Sequence, residues 1–174
     1  LRAPSTASSY QSERQEGMTM TLLMALMVAA TALNGLLGGF SLDGALVKLP
    51  SRRHIGAVAY ATFARGNDLG NGLWVYSSTA IGAAVLTILA TVVAYVEHAS
   101  SALLLPLSIA TLTTIGHFVA TSRAAPNMLR VGKTPDDEAL LAPLLDRFAR
   151  WHVVRATLQV LTFFVLLWAL VVAR

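Results

Sequence analysis

Four apolar stretches dominate the chain, and each has the length of a membrane span. They cover residues 18–40, 72–96, 101–121 and 151–173, and Arg155 in the last is their single Lys, Arg, Asp or Glu. A helix needs about 20 predominantly apolar residues to cross the hydrocarbon core. Apolar and polar residues do not alternate one by one, as they would in a membrane β-barrel. The sequence therefore predicts an all-α fold, a bundle of four transmembrane helices.

A short polar segment, residues 1–17, precedes the first span. It is rich in serine and carries charges of both signs, so we interpret it as a polar N-terminal tail and residues 18–174 as the membrane domain. The first span is longer than the roughly 7–15-residue apolar region of a signal peptide, and no clear cleavage site follows it. We therefore expect it to be a retained membrane helix.

Two long connections, residues 41–71 and 122–150, lie on one face of the predicted bundle, and a tight hairpin lies on the other. The long connections hold most of the Lys and Arg residues. Because cytoplasmic loops are enriched in these residues, we predict that both long connections are cytoplasmic and that both termini are outside. The frequent arginine and alanine residues favour the inner (cytoplasmic) membrane of a bacterium.

Each long connection contains a predicted amphipathic helix. In the first, residues 51–65 place Ile55 and Phe63 on one helical face, as in an interfacial helix or a lid across the bundle. In the second, Thr134 is the predicted cap of a helix that has acidic residues in its first turn. The protein is thus expected to carry helical structure outside its spans on one face only.

Strongly polar residues inside the spans fall in the half of the bundle beneath the long connections. His152 and Arg155 share one face at the start of the fourth span, and His117 lies at a matching depth near the end of the third. Ionisable groups in spans are costly and usually face the bundle interior. We therefore predict a polar pocket here, which Asn34 and Trp74 also approach. The alternative is that these side chains only hydrogen-bond the helices together.

We predict neither a cofactor nor a metal. The chain has no cysteine, and its 4 histidines show no HxxxH or HExxH pairing. His117 and His152 could ligate a haem or a metal, but the carboxylates are confined to the connections. The net charge of +4 reflects basic residues that flank membrane helices and meet anionic lipid headgroups, so membrane lipids and not nucleic acid are the expected partners.

The second half of the chain resembles the anthrone oxygenase-like family of small four-helix membrane proteins, much of which has no assigned function. Pro126 and Asn127 match the proline-asparagine pair that follows the family's third helix. Trp151 and Arg155 match the tryptophan and following arginine at the start of its fourth. The resemblance is specific over residues 114–159 and loose over the first half. Many members have asparagine after the tryptophan, where this chain has His152.

The resemblance implies cofactor-free oxygenation of a polycyclic phenolic or other lipophilic aromatic molecule. His117 or His152 would then act as the base that removes a proton. Arg155 would stabilise the resulting enolate or phenolate in a site of low dielectric. Trp151 would stack on an aromatic ring, and Asn127 would hold a substrate oxygen by a hydrogen bond.

A competing hypothesis is a non-catalytic accessory subunit that docks on a larger membrane complex, respiratory or photosynthetic, through its helices and its polar tail. Small residues allow close helix approach, and they form two candidate docking faces. These faces contain Gly35, Gly38 and Gly39, and Gly82, Ala83 and Ala84. A transporter is a weaker alternative, because the chain has no inverted repeat.

Overall fold

The computed structural model describes the backbone of residues 6–173 and the side chains of residues 17, 18 and 20–173. This part contains five helices: α1 (Thr6–Asp43), α2 (Leu49–Gly66), α3 (Gly72–Val96), α4 (Ser101–Val131) and α5 (Glu138–Val172). Two π-helical segments, Gly44–Lys48 and Asn67–Asn71, join α2 to α1 and α3. Residues 6–173 contain no strand, so the all-α prediction is confirmed. Residues 1–5 of the predicted tail lie outside the described residues. Helix α1 begins at Thr6, within the rest of that tail.

Three helical stretches in the described part are long and apolar enough to cross a membrane. The first, Met20–Val96, spans 77 residues and includes α1 from Met20 onward, the bent segment around α2, and α3; the others are α4 and α5. Their outer faces expose large apolar side chains, as helices surrounded by lipid do. Examples are Val28, Ile88, Leu112 and Phe164. These features indicate an integral membrane protein.

The long helices pack closely at the end that carries the α3–α4 hairpin. There, α1 lies against α3 and α5, and α4 lies along α5. Met27, Leu107 and Leu166 are fully buried in one apolar cluster contributed by these helices. The Thr91 hydroxyl lies 2.9 Å from that of Thr111 and ties α3 to α4. This end of the molecule is a filled apolar core.

A second apolar cluster lies at the opposite end, where α2 covers the extensions of α4 and α5. Tyr60 and Ala61 of α2 pack there with Val131, Leu141 and Leu145. The extensions arise because both helices continue past the spans that hydropathy predicts. Residues 132–137 are therefore the whole connection between α4 and α5.

The N-terminus of α5 differs from the prediction. The capping residue is Asp137 and not Thr134, because Asp137 has an extended backbone (φ −130°, ψ 120°) and its carboxylate accepts hydrogen bonds from the backbone N–H groups of Ala139 and Leu140. Such a cap satisfies donors that the first helical turn leaves unpaired.

Helix α2 is broken at Gly56, whose φ of 83° lies in the left-handed region that glycine adopts without strain. The break leaves the N–H of Ala57 without a helical partner, and the Glu138 carboxylate accepts it at 2.9 Å. Arg65, near the other end of α2, pairs with Asp136 at 2.6 Å. The first residue of α5 and the connection before it therefore hold α2 in place at two points.

The buried face of α2 is formed by Ala57, Tyr60, Ala61 and Ala64. Ile55 and Phe63, on the apolar face that the sequence highlights, are instead exposed. Small residues face inward because α2 lies close against its neighbours. Apolar side chains on the outward face suit a helix at a membrane interface.

Candidate functional site

A cavity of about 300 Å³ lies between the two apolar clusters, and all five helices contribute to its wall. Its volume is at the lower end of the range of small-molecule sites, roughly 300–1,000 Å³. Most of the wall is apolar, with a small number of polar groups, as is typical of such sites. Five aromatic side chains line it: Phe40, Tyr60, Tyr76, Phe118 and Phe148.

Arg155 and His152 form a hydrogen-bonded pair in the cavity wall. Arg155 Nη2 lies 2.7 Å from His152 Nδ1, and His152 Nε2 lies 3.1 Å from the backbone oxygen of Ser41. A guanidinium group only donates hydrogen bonds, so His152 Nδ1 accepts and the ring proton is on Nε2, where it is donated to Ser41. Both ring nitrogens are therefore engaged. This arrangement suits His152 to positioning Arg155 better than to taking a proton from a ligand.

Gly44 allows the His152 ring to reach the end of α1. A Cβ atom at this position would lie 2.5 Å from His152 Nε2 and 2.9 Å from its Cε1. Any side chain at residue 44 would therefore displace the ring from Ser41. The glycine is part of what positions the pair.

His117 faces the cavity from α4 and pairs with Gln159 of α5. The Gln159 amide nitrogen lies 2.7 Å from His117 Nε2, so it donates to the ring and the ring proton is on Nδ1. A half-turn of the amide group exchanges its nitrogen and oxygen, which moves the ring proton to Nε2 and leaves Nδ1 as an acceptor. The second arrangement is the one that a general base requires. The amide orientation of Gln159 and the tautomer of His117 are therefore coupled.

The charges around the cavity are unevenly paired. Lys48 Nζ lies 2.9 Å from the Asp43 carboxylate, and the Asp68 carboxylate accepts from Asn67 at 2.8 Å. Among the residues that the structure describes, Arg155 makes no ion pair, and its buried Nε has no hydrogen-bond partner. A half-buried cation of this kind favours an anionic or oxygen-rich group as its neighbour, and the Asp68 carboxylate, which also makes no ion pair among the described residues, lines the same cavity.

The structure brings three of the seven predicted site residues to the cavity: His117, His152 and Arg155. Asn34 does not line it. Its amide donates to the Ala30 backbone oxygen at 2.9 Å and to the Thr87 hydroxyl at 3.1 Å. Asn34 therefore joins α1 to α3, the helix-packing role that buried polar residues of membrane helices commonly have.

The other three predicted residues also lie away from the cavity wall. Asn127 donates to the backbone oxygen of Arg123 on its own helix. Trp74 is 78% exposed and Trp151 is 39% exposed. Successive helical residues point about 100° apart, so Trp151 points away from the cavity because its neighbour His152 points in.

Two groups of lining residues were missed by the sequence analysis as site residues. Lys48, Tyr60 and Asp68 come from the bent segment between α1 and α3, whose path the sequence does not reveal. Tyr76 and Phe118 lie in apolar spans, where helix rotation decides which side chains face inward. The lining residues 73, 77 and 81 recur at helical spacing and form a stripe on α3. Neighbouring positions are equally apolar, so the sequence does not distinguish this stripe from the other faces of the helix.

Among the residues whose side chains the structure describes, no cluster of three or more His, Asp or Glu could hold a metal ion. Comparison of the chain with protein families, with characterised proteins and with solved structures finds no match. Functional assignment therefore depends on the geometry of the cavity.

Proposed function

We propose that this protein is a four-helix membrane bundle that binds a lipophilic aromatic molecule with an acidic hydroxyl or keto oxygen and oxygenates it with O2, without a bound cofactor. The observation that supports this most is the Arg155 guanidinium in a cavity with largely aromatic and aliphatic walls. An arginine in a membrane helix costs about 2.5–3.5 kcal/mol at the centre of the bilayer, and less near the end of a span, where Arg155 lies. An oxygen-bearing ligand gives that charge a partner and a function.

The four proposed crossings are α1, α3, α4 and α5. Each contains one of the apolar stretches 18–40, 72–96, 101–121 and 151–173. α1 and α3 belong to one continuous helical stretch, yet they pack against each other, and the non-helical backbone of Gly70 (ψ −125°) helps to turn the chain back. The distribution of Lys and Arg favours α2 and the α4–α5 turn on the cytoplasmic side of a bacterial inner membrane, with both termini outside.

The proposed reaction begins when a base removes a proton from an activated CH2 group of the substrate. The resulting enolate carbon forms a C–O bond to O2, and the peroxide anion takes the proton back from the base to give a hydroperoxide. The hydroperoxide then loses water and leaves a carbonyl group. The CH2 group and O2 are thus converted to C=O and H2O, and the substrate is oxidised by O2 alone. This is the chemistry that the resemblance to the anthrone oxygenase-like family implies.

The polar residues of the cavity divide into three roles. His117 is the proposed base, acting through Nδ1 when Gln159 accepts the proton on Nε2. Arg155 stabilises the negative charge that develops on the substrate oxygen. His152 positions Arg155 through its hydrogen bond and is held in turn by Ser41. The five aromatic side chains of the wall provide flat apolar surface for the substrate rings.

The test is Arg155→Gln, which removes the charge and keeps a hydrogen-bonding side chain. Oxygen uptake is measured with anthrone added to the protein in lipid vesicles. Loss of a group that stabilises an oxyanion lowers turnover about 10²–10³-fold. The matched control is Arg150→Gln, an exposed arginine on the same helix. Equal oxygen uptake by the two variants would refute the role of Arg155, and no uptake by the unaltered protein would refute the reaction.

The accessory-subunit hypothesis remains the competing proposal. Its two small-residue faces pack within the chain: a Cβ on Gly35 would lie 3.0 Å from Phe163, and Ala83 and Ala84 are buried. Gly39 is exposed, and a Cβ placed on it would meet nothing within 4 Å, so only part of the first face is open to a partner. Native mass measurement after mild extraction separates the alternatives, because a subunit retains stoichiometric companions and the enzyme is released as a monomer or homodimer.

A further inference from the structure

Some residues of the cavity wall are also exposed on the outside of the molecule, and these residues mark where the cavity opens. Five of them lie on α3 (Leu73, Ser77 and Ile81) and α4 (Phe118 and Leu129), and a sixth, Phe40 of α1, is 38% exposed and packs on Tyr76 of α3. Ile81 is 57% exposed and Leu129 is 49% exposed. By contrast, the lining residues of α2 and α5 are largely buried. The opening therefore lies on the side of α3 and α4.

Helices α3 and α4 are tied together only far from this opening. Their hydrogen bonds in the described residues join Thr91 to Leu107 and Thr111, and Tyr95 to Ser108. All of these contacts are near the hairpin that connects the two helices. Toward the cavity, side chains from both helices line the space between them instead of bonding across it.

The rim of the opening is mostly apolar, and most of it belongs to stretches of membrane-span length. Leu73, Ser77 and Ile81 belong to the apolar stretch 72–96 and Phe118 to the stretch 101–121, whereas Leu129 lies in the extension of α4 beyond its stretch. A mouth that faced water would be rimmed by polar side chains. Among these rim residues Ser77 alone carries a hydroxyl group, so the rim is suited to contact with lipid chains.

The opposite route, from the water on the side of α2, is covered. Tyr60 and Ala61 of α2 are buried against α4 and α5. Glu138 and the Arg65–Asp136 pair hold α2 down. A molecule that approaches the cavity from the water therefore meets the packed helix α2, and one that approaches from the lipid meets an apolar gap.

We infer that the cavity opens sideways into the bilayer between α3 and α4, and that its ligand is a membrane-dissolved weak acid with an aromatic body. This inference rests on the proposed function and specifies its substrate class. The ligand moves through the lipid in its neutral form, which partitions into hydrocarbon. Inside the cavity it places its oxygen on Arg155, where the anionic form is stabilised. Apolar rings fill the aromatic part of the wall.

The first test measures what surrounds the mouth. The chain has no cysteine, so a nitroxide label can be attached at a single introduced cysteine, Ser77→Cys, without other changes. In lipid vesicles, collisions with O2 report contact with lipid, and collisions with a water-soluble nickel chelate report contact with water. We expect O2 collisions to dominate at residue 77. Dominant nickel collisions would overturn the lateral opening, whether or not any ligand binds.

The second test follows a ligand through the mouth. The probe is 6-dodecyl-2-naphthol, a fluorescent phenol that stays in the bilayer, and its association and dissociation rates are measured by stopped flow in nanodiscs. Ser77→Trp narrows the mouth and is expected to slow both rates at least tenfold. Ser78→Trp is the control, because Ser78 is exposed on the same helix and does not line the cavity.

The two proposals fail in different ways. If Arg155→Gln abolishes naphthol binding while Ser77→Trp and Ser78→Trp show the same rates, the lateral opening is wrong and the proposed binding site stands. If the unaltered protein does not bind the naphthol, the proposed function is wrong and its substrate class with it. Should Ser77→Trp fail to fold, the nitroxide measurement at residue 77 still decides where the cavity opens.

Discussion

Replacement of Gly44 by alanine perturbs the Arg155–His152 pair without a change to either of these two residues. The new Cβ would lie 2.5 Å from His152 Nε2, so the ring must move away from Ser41. The displaced ring loses a neutral hydrogen bond, worth about 0.5–1.5 kcal/mol, and weakens one from a charged donor, worth about 1.5–3 kcal/mol. Alanine recovers about 1 kcal/mol of helix propensity. The expected net loss is about 1–3.5 kcal/mol if both bonds are lost, and less if the bond from Arg155 is only weakened.

The free energy of unfolding is measured in mixed micelles by tryptophan fluorescence, and naphthol affinity is measured in nanodiscs. Gly39→Ala is the matched control, because its new Cβ would have no neighbour within 4 Å. We expect Gly44→Ala to be less stable than Gly39→Ala and to bind the naphthol at least tenfold more weakly, since Arg155 loses its orientation. Equal stability and equal affinity in the two variants would show that Gly44 does not position the pair.

Two further predictions concern polar residues in the helices. Thr114→Val should leave the free energy of unfolding unchanged or raise it, because the buried Thr114 hydroxyl has no partner among the described residues. Thr162→Val should lower it by about 1 kcal/mol, because the Thr162 hydroxyl bonds to Thr113 and Leu158. The same unfolding assay on both variants checks this, and a larger loss in Thr114→Val would contradict it. Asn34→Ala should cost about 0.6–1.7 kcal/mol of stability through the lost contact with Thr87 and leave naphthol affinity unchanged; reduced affinity would return Asn34 to the ligand site.

The bounds of one helix coincide with those of an apolar stretch that polar residues border on both sides. α3 runs from Gly72 to Val96, and Asn71 precedes it and Glu97 follows it. α4 and α5 extend farther than predicted. Hydropathy detects the part of a helix that lies in lipid, and the helical backbone of α4 and α5 continues where the side chains become charged.

The candidate site was predictable in part, because it depends on two kinds of information. Depth along the helix can be read from the sequence, and it correctly grouped His117, His152 and Arg155. Rotation about the helix axis cannot be read where a span is apolar on every face, so Trp74 was chosen and Tyr76 was not. Lys48 and Asp68 required the path of the segment between α1 and α3, which depends on the backbone at Gly56 and Gly70.

The chain order of the site residues has a consequence for biogenesis. His152, Arg155 and Gln159 all lie on α5, the last of the described helices to be synthesised, and their partners Ser41 and His117 lie on helices made earlier. When α5 enters the membrane, hydrogen-bonding groups are already there to receive its polar face, which lowers the free energy of inserting an arginine. Glu138 arrives with the same helix and caps the N–H of Ala57, made 81 residues before. Insertion of α5 therefore completes the cavity and fixes the helix that covers it in a single late step of assembly.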